Sequence, residues 1–300
     1  MAPLSRIVVL GDSVAWGQGL LPPHKFSSLV ARALGSAGTQ IEVFAHSGAV
    51  IGVNRSSIAG PPDSEIPFSY PTILAQCAGF NDHPETVDLV LVDGGINDVN
   101  VRNILDPLTS FAALGDRTQL HCYYDMKELL TAVVAKFTNP NTKIVVTGYF
   151  PILSLKSEFL RIIPLLQVHG IAMPPHFYPD PLLKKVVSLC LQFWNDSGMY
   201  LGRAVQEVNA ATGGNRLRFA AAQFTDNNAV FAGDPWLWGV NFDLSPQDEV
   251  SASRIPACQV FYPKPEDLLA KEQCFRASAG HPNVSGAAAF AQAIQKAISN

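Results

Sequence analysis

Ser13 stands where an apolar run, Arg6 to Gly11, gives way to small and polar residues in "VVLGDSVAWGQG". One reading is a strand followed by an ordinary turn, since Gly, Asp and Ser are common turn residues. The other is a nucleophile held at the carboxyl end of a strand. A serine hydroxyl attacks only when a base takes its proton, and His281, just before the last helical stretch, has a side chain suited to that. Attack on a carbonyl builds an oxyanion, which needs donors placed in advance. The backbone at Gly48, after a second apolar run, and the side chain of Asn97, after "LVLVD", are such donors. Glycine at 48 lets the backbone come close to a bound carbonyl. Asp98 reads as a helix cap and Asp12 as the residue that fixes the turn before Ser13.

These residues need a frame that brings their strand ends together. "RIVVLG", "IEVFAHSGA" (Ile41 to Ala49), "VDLVLVDGGIND" (Val87 to Asp98), "KIVVTGYFP" (Lys143 to Pro151) and "RLRFAAAQF" (Arg216 to Phe224) read as strands. Between and after them, Ser27–Gly38, Met126–Phe137, Pro181–Ala211 (with a break near Gly198) and Val284–Ser299 read as helices. Continuous apolar strands alternating with helices predict a mostly parallel sheet covered on both faces. In such sheets ligands gather outside the carboxyl ends of the strands. Two segments interrupt the alternation, Leu153 to Pro181 and Thr225 to Gln273. The apolar residues Leu155, Phe159, Leu160, Ile162, Ile163, Leu165 and Leu166 of the first are expected to border an acyl pocket, with a core helix as the alternative. Trp236 and Trp238 read as packing residues.

The 300 residues are 48% hydrophobic, enough for a sizeable core, and carry a formal charge of −4 without long runs of one sign. That balance argues against nucleic acid or an anionic membrane as partner and for a small-molecule substrate. No apolar segment is long enough to cross a bilayer. No Gly-x-x-x-x-Gly-Lys-Ser/Thr loop supports a nucleotide. The start "MAPLSRIVVLGDS" has no signal-peptide pattern, so a cytoplasmic protein with reduced thiols is expected. A mature secreted form is the alternative, in which Cys258 and Cys274 would pair.

Four blocks in order, "GDS" (Gly11–Ser13), the glycine of "AHSGA" (Gly48), "GIND" (Gly95–Asp98) and "SAGHPNVSGAAAFAQAI", resemble the SGNH or GDSL hydrolases. The resemblance implies a three-layer α/β/α sandwich of flavodoxin-like type. It implies one domain over residues 1–300, with insertions near 153–181 and 225–273 that wall the pocket. It makes Ser13 the nucleophile and His281 the base, with the N–H groups of Ser13 and Gly48 and the Asn97 side chain as oxyanion hole. The implied activity is esterase- or lipase-like hydrolysis of a small-molecule carboxylic ester with no cofactor and no metal. A sugar deacetylase or acyltransferase on the same site, and a catalytically silent binding domain, are the alternatives. No role is assigned to His24, His46, His83, His121, His169 or His176.

One departure stands out. The acid of the family pattern would sit three residues before the histidine, where this chain has Ser278. A serine can accept a hydrogen bond but supplies no charge to an imidazolium. Three readings follow: a Ser13–His281 dyad, with Ser278 or a backbone carbonyl orienting the ring; an acid drawn from Asp226, Asp234, Asp243, Asp248 or Glu249; or a weak or inactive relative.

Overall fold

In the computed structural model, which describes residues 2–171 and 179–299, five strands form one all-parallel sheet. They are β1 (Leu4–Leu10), β2 (Gly35–Val43), β3 (Leu89–Val92), β4 (Lys143–Thr147) and β5 (Leu217–Ala220), in spatial order β2-β1-β3-β4-β5. The central strands are continuous apolar runs because both faces are covered: every residue of β3 is buried, as are Ile7 to Leu10 of β1.

The helices are α1 (Ser13–Trp16), α2 (Phe26–Leu34), α3 (Ile73–Gly79), α4 (Ile96–Val99), α5 (Val101–Leu105), α6 (Phe111–Gln119) and α7 (Met126–Lys136). After β4 come α8 (Phe159–Val168) and α9 (Pro179–Thr212), and after β5 come α10 (Ser251–Phe261), α11 (Leu268–Phe275) and α12 (Val284–Ser299). A π-helical turn, Leu120–Asp125, joins α6 to α7. Helices α2 and α12 pack together on the sheet, while α3, α7 and α9 form another packed set. The architecture is therefore the expected α/β/α sandwich, with strand order reversing between β1 and β3. That reversal opens a crevice at the carboxyl ends of those two strands.

Four expectations change. The second helix ends at Leu34 rather than Gly38, and β2 covers Gly35–Val43 rather than Ile41–Ala49. Strand β2 is an edge with half-exposed residues, so Gly35–Gln40 carry no apolar run and only Ile41–Val43 coincide with the stretch read as a strand. Its pairing jumps from Leu4↔Gly35 to Arg6↔Gln40, and Thr39 Oγ1 bridges the step by donating to the Leu4 carbonyl. Secondly, α9 is continuous through Gly198, where a side chain would meet open space. One glycine costs a helix only about 1 kcal/mol, which the packing of a long helix overrides.

Thirdly, the stretch Thr225–Gln273 is not wholly irregular, since α10 and most of α11 lie within it. An internal Pro256 and the absence of a clear apolar face hid α10 in the sequence. Fourthly, a disulfide joins Cys258 of α10 to Cys274 of α11, so these two thiols are not reduced as expected, while Cys77, Cys122 and Cys190 are free and buried. No described helix is long and apolar enough to cross a membrane.

Candidate active site

Strand β1 delivers Ser13 to the crevice. Asp12 caps α1 by accepting from the Val14 amide at 2.8 Å, turning the chain sharply so that Ser13 opens the helix. Beneath it lies a wholly buried acidic pair. Tyr149 donates to Asp12 Oδ2 at 3.2 Å and Thr147 donates to Asp93 Oδ2 at 3.1 Å. Burial first, and then the neighbouring Asp12 charge, push the Asp93 carboxyl well above the usual carboxylate range.

His281 comes from the loop before α12, and its Nε2 lies 2.7 Å from Ser13 Oγ. Its backbone is pinned to residues 236–240: Trp238 N donates to the His281 carbonyl at 2.7 Å and Gly280 N donates to the Trp238 carbonyl at 2.9 Å. Trp236 packs edge-on against Phe224, and neither tryptophan lines the cavity described below. Burial lowers the His281 pKa below the ordinary imidazole value of 6.5. The Asp12 charge and the carbonyls of Ser278 and Ala279 oppose that shift, and the Arg254 charge adds to it.

Gly48 follows the turn after β2 at φ +79°, a conformation suited to glycine, and a Cβ there would come within 2.6 Å of the Phe68 amide nitrogen. Asn97 projects from α4 at the end of β3, and its Nδ2 donates to the Ala49 carbonyl at 3.0 Å. Among the described residues no hydrogen bond uses the Ser13 or Gly48 amide. Asp98 turns away: its Oδ2 accepts from the Ile51 amide at 3.0 Å, fixing the loop after Gly48.

The expected orienting groups are placed differently. No described residue gives His281 Nδ1 a hydrogen-bond partner. Ser278 instead donates to Asp248 Oδ2 at 2.5 Å, and Asp248 pairs with the fully buried Arg254 at 2.6 Å. Arg254 in turn meets Glu65 at 2.7 Å, which also accepts from Trp16, Gln18 and Gly19. Asp234 accepts from Trp236, Asp243 from Ser245, and Glu249 from Leu21 and His24, while Asp226 is exposed. None of these carboxylates reaches the imidazole.

Ser13, Gly48, Asn97 and His281 all line one cavity of about 270 Å³. Val14, Ile96, Val101, Phe150, Ile152 and Val168 give it apolar walls. The seven apolar residues expected to border an acyl pocket do not line it: Ile162, Leu165 and Leu166 are core, and Leu155 and Leu160 point to solvent. Among the described residues of that segment, Val168 and His169, at the end of α8, reach the cavity; His176, with the rest of residues 172–178, lies outside the described residues. Arg102, His169, Gln273 and Arg276 line it too, and no sequence signal had singled them out for this role.

Asp98, His121 and Asp125 bring ligand-type atoms within 4.8 Å of one another, the one described group with the composition for a metal. His121 Nδ1 and Asp125 Oδ2 already share a hydrogen bond of 2.7 Å.

No protein-family model matches the chain, and no curated protein matches it. Among solved structures it is similar to phospholipase A1 from Streptomyces albidoflavus NA297, with 15% identity, TM-score 0.52, and 98% of this chain and 99% of that one covered. A lipase, Lip_vut3, from a goat rumen metagenome is 14% identical at TM-score 0.47, covering 98% of this chain and 97% of that one. An acetyl xylan esterase from Geobacillus stearothermophilus is 14% identical at TM-score 0.40, covering 99% and 96%. At these identities it is the fold that is shared: the chain has the α/β fold of the Streptomyces phospholipase over almost the full length of both.

Proposed function

We propose that the protein is a serine hydrolase of SGNH type that cleaves small-molecule carboxylic esters through an acyl-enzyme on Ser13. The carrying observation is the 2.7 Å contact between Ser13 Oγ and His281 Nε2 in a cavity that also holds Gly48 and Asn97. His281 Nε2 takes the hydroxyl proton as Oγ attacks the ester carbonyl. The carbonyl oxygen becomes an oxyanion, met by the Ser13 and Gly48 amides and by Asn97 Nδ2. The C–O bond to the alcohol then breaks and His281 returns the proton to the departing oxygen. Water repeats the sequence on the acyl-serine and frees the acid.

In this reading the pair works as a dyad. Burial keeps the ring neutral and ready to accept a proton, and the imidazolium draws on the Asp12 charge and the loop carbonyls rather than on an aspartate at Nδ1. A fluorophosphonate probe tests this. Covalent labelling that disappears in Ser13→Ala supports it, and a folded protein that is neither labelled nor active on short-chain aryl esters makes the chain a silent binding domain.

A further inference from the structure

The cavity wall has an unusual charge balance. Among the described residues lining it there is no Asp or Glu, although the chain as a whole carries −4. Two arginines and two histidines line it instead: Arg102, Arg276, His169 and His281. Arg276 is compensated, since its Nη1 binds the Glu272 carboxylate. Arg102 has no carboxylate partner among the described residues.

The guanidinium of Arg102 is nonetheless held in place. Its Nε donates to the His169 carbonyl at 2.9 Å and its Nη2 to the Gly170 carbonyl at 3.1 Å, leaving Nη1 without a described partner. Gly170, at φ +70°, makes room for it: a Cβ there would lie 2.3 Å from Nη2. Beside it, burial and then the charges of His281 and Arg102 hold the His169 pKa at about 4. His169 is therefore neutral at pH 7 and can donate one hydrogen bond.

We propose that this cavity binds an ester carrying an anionic group, a carboxylate or a phosphate, with Arg102 as its cationic partner and His169 as an adjoining hydrogen-bond donor. The proposal rests on the hydrolase reading and names its substrate class. A guanidinium already oriented by two backbone carbonyls suits a planar or tetrahedral oxyanion, because little side-chain freedom remains to be lost on binding. The apolar walls next to it accommodate the uncharged remainder of the molecule.

The test is a pair of matched substrates. A mono-aryl succinate against its methyl ester places a carboxylate on the acyl side. 2-Acetoxyethyl phosphate against 2-methoxyethyl acetate places a phosphate on the alcohol side. At least one anionic member should exceed its neutral partner about tenfold or more in kcat/KM, the weight of one charge-assisted hydrogen bond. Arg102→Gln should bring that ratio close to one, whereas Arg102→Lys, which keeps the charge, should retain most of it. Neutral partners cleaved as well as the anionic ones overturn the proposal, as does an unchanged ratio in Arg102→Gln. Equal loss in the Lys and Gln variants does so too, since it would mean that Arg102 only fastens the loop at residues 169–170. If the parent cleaves no ester, the hydrolase reading fails separately, and calorimetry with monomethyl succinate and with inorganic phosphate decides: binding weakened by Arg102→Gln supports the anion site, and no binding overturns it.

Discussion

Ser13 stands on the end of a buried central strand, above two fully buried carboxyl groups, whereas His281 stands on a loop backed by buried ion pairs. At the serine end, Asp12 and Asp93 are taken up by the Val14 amide, Tyr149 and Thr147, so the acids serve as scaffold. At the histidine end, Glu65, Arg254, Asp248 and Ser278 form a chain of ion pairs and hydrogen bonds that stops short of the ring. The difference shows that a nearby carboxylate is not the same as an available one. Asp248 is committed to Arg254, a group that would be left as an uncompensated buried charge without it.

The comparison breaks most directly at its meeting point. Ser13→Ala should lower ester turnover by about a thousandfold or more while the thermal midpoint changes little, since only the attacking oxygen is lost. Near-normal turnover in that variant would end the assignment. Next, Arg254→Met should destabilise the fold by about 3–5 kcal/mol, measured by urea denaturation, because it leaves the buried side chains of Asp248 and Glu65 without their cationic partner. A loss no larger than that of a surface ion pair would make the network dispensable.

Asn97→Ala should reduce kcat about a hundredfold to a thousandfold with a smaller change in KM, because an oxyanion donor acts mainly in the transition state. If KM alone moved, Asn97 would contact the ground state only. The smallest effect concerns the acid. Ser278→Asp alone would press a second carboxylate against Asp248, so the informative variant combines it with Asp248→Ser and keeps the charge count facing Arg254. A carboxylate nearer the ring should raise kcat severalfold.

The pH profile sharpens the same point. In the parent, the His281 pKa is depressed, so the base stays unprotonated to lower pH and the acid limb of kcat/KM should lie below 6.5. In the double variant the added negative charge should move that limb upward. An unmoved limb with an unmoved rate would show that residue 278 does not face the imidazole.

Much of this was legible beforehand for a physical reason. Buried parallel strands need continuous apolar runs, so the central strands β1, β3 and β4 announce themselves, and the small polar residues after them mark where the site must gather. The edge strand β2 reads too late in the sequence, at Ile41–Ala49, because its half-exposed first residues carry no apolar run, and α10 escapes because its proline and mixed faces resemble a loop. Ser13, Gly48, Asn97 and His281, named from their residue types at strand ends or before a helix and from the family resemblance, all line one cavity.

What the tertiary structure alone decided is which charges meet. Glu65, Asp248 and Arg254 lie up to 189 positions apart, and nothing in their local sequence says that they neutralise one another rather than the histidine. Arg102 and His169 likewise reach the cavity through a pairing of α5 with the end of α8. Apolar pattern is a local property, readable by counting along the chain, whereas the pairing of buried charges depends on distances of a few ångströms between segments that only folding brings together.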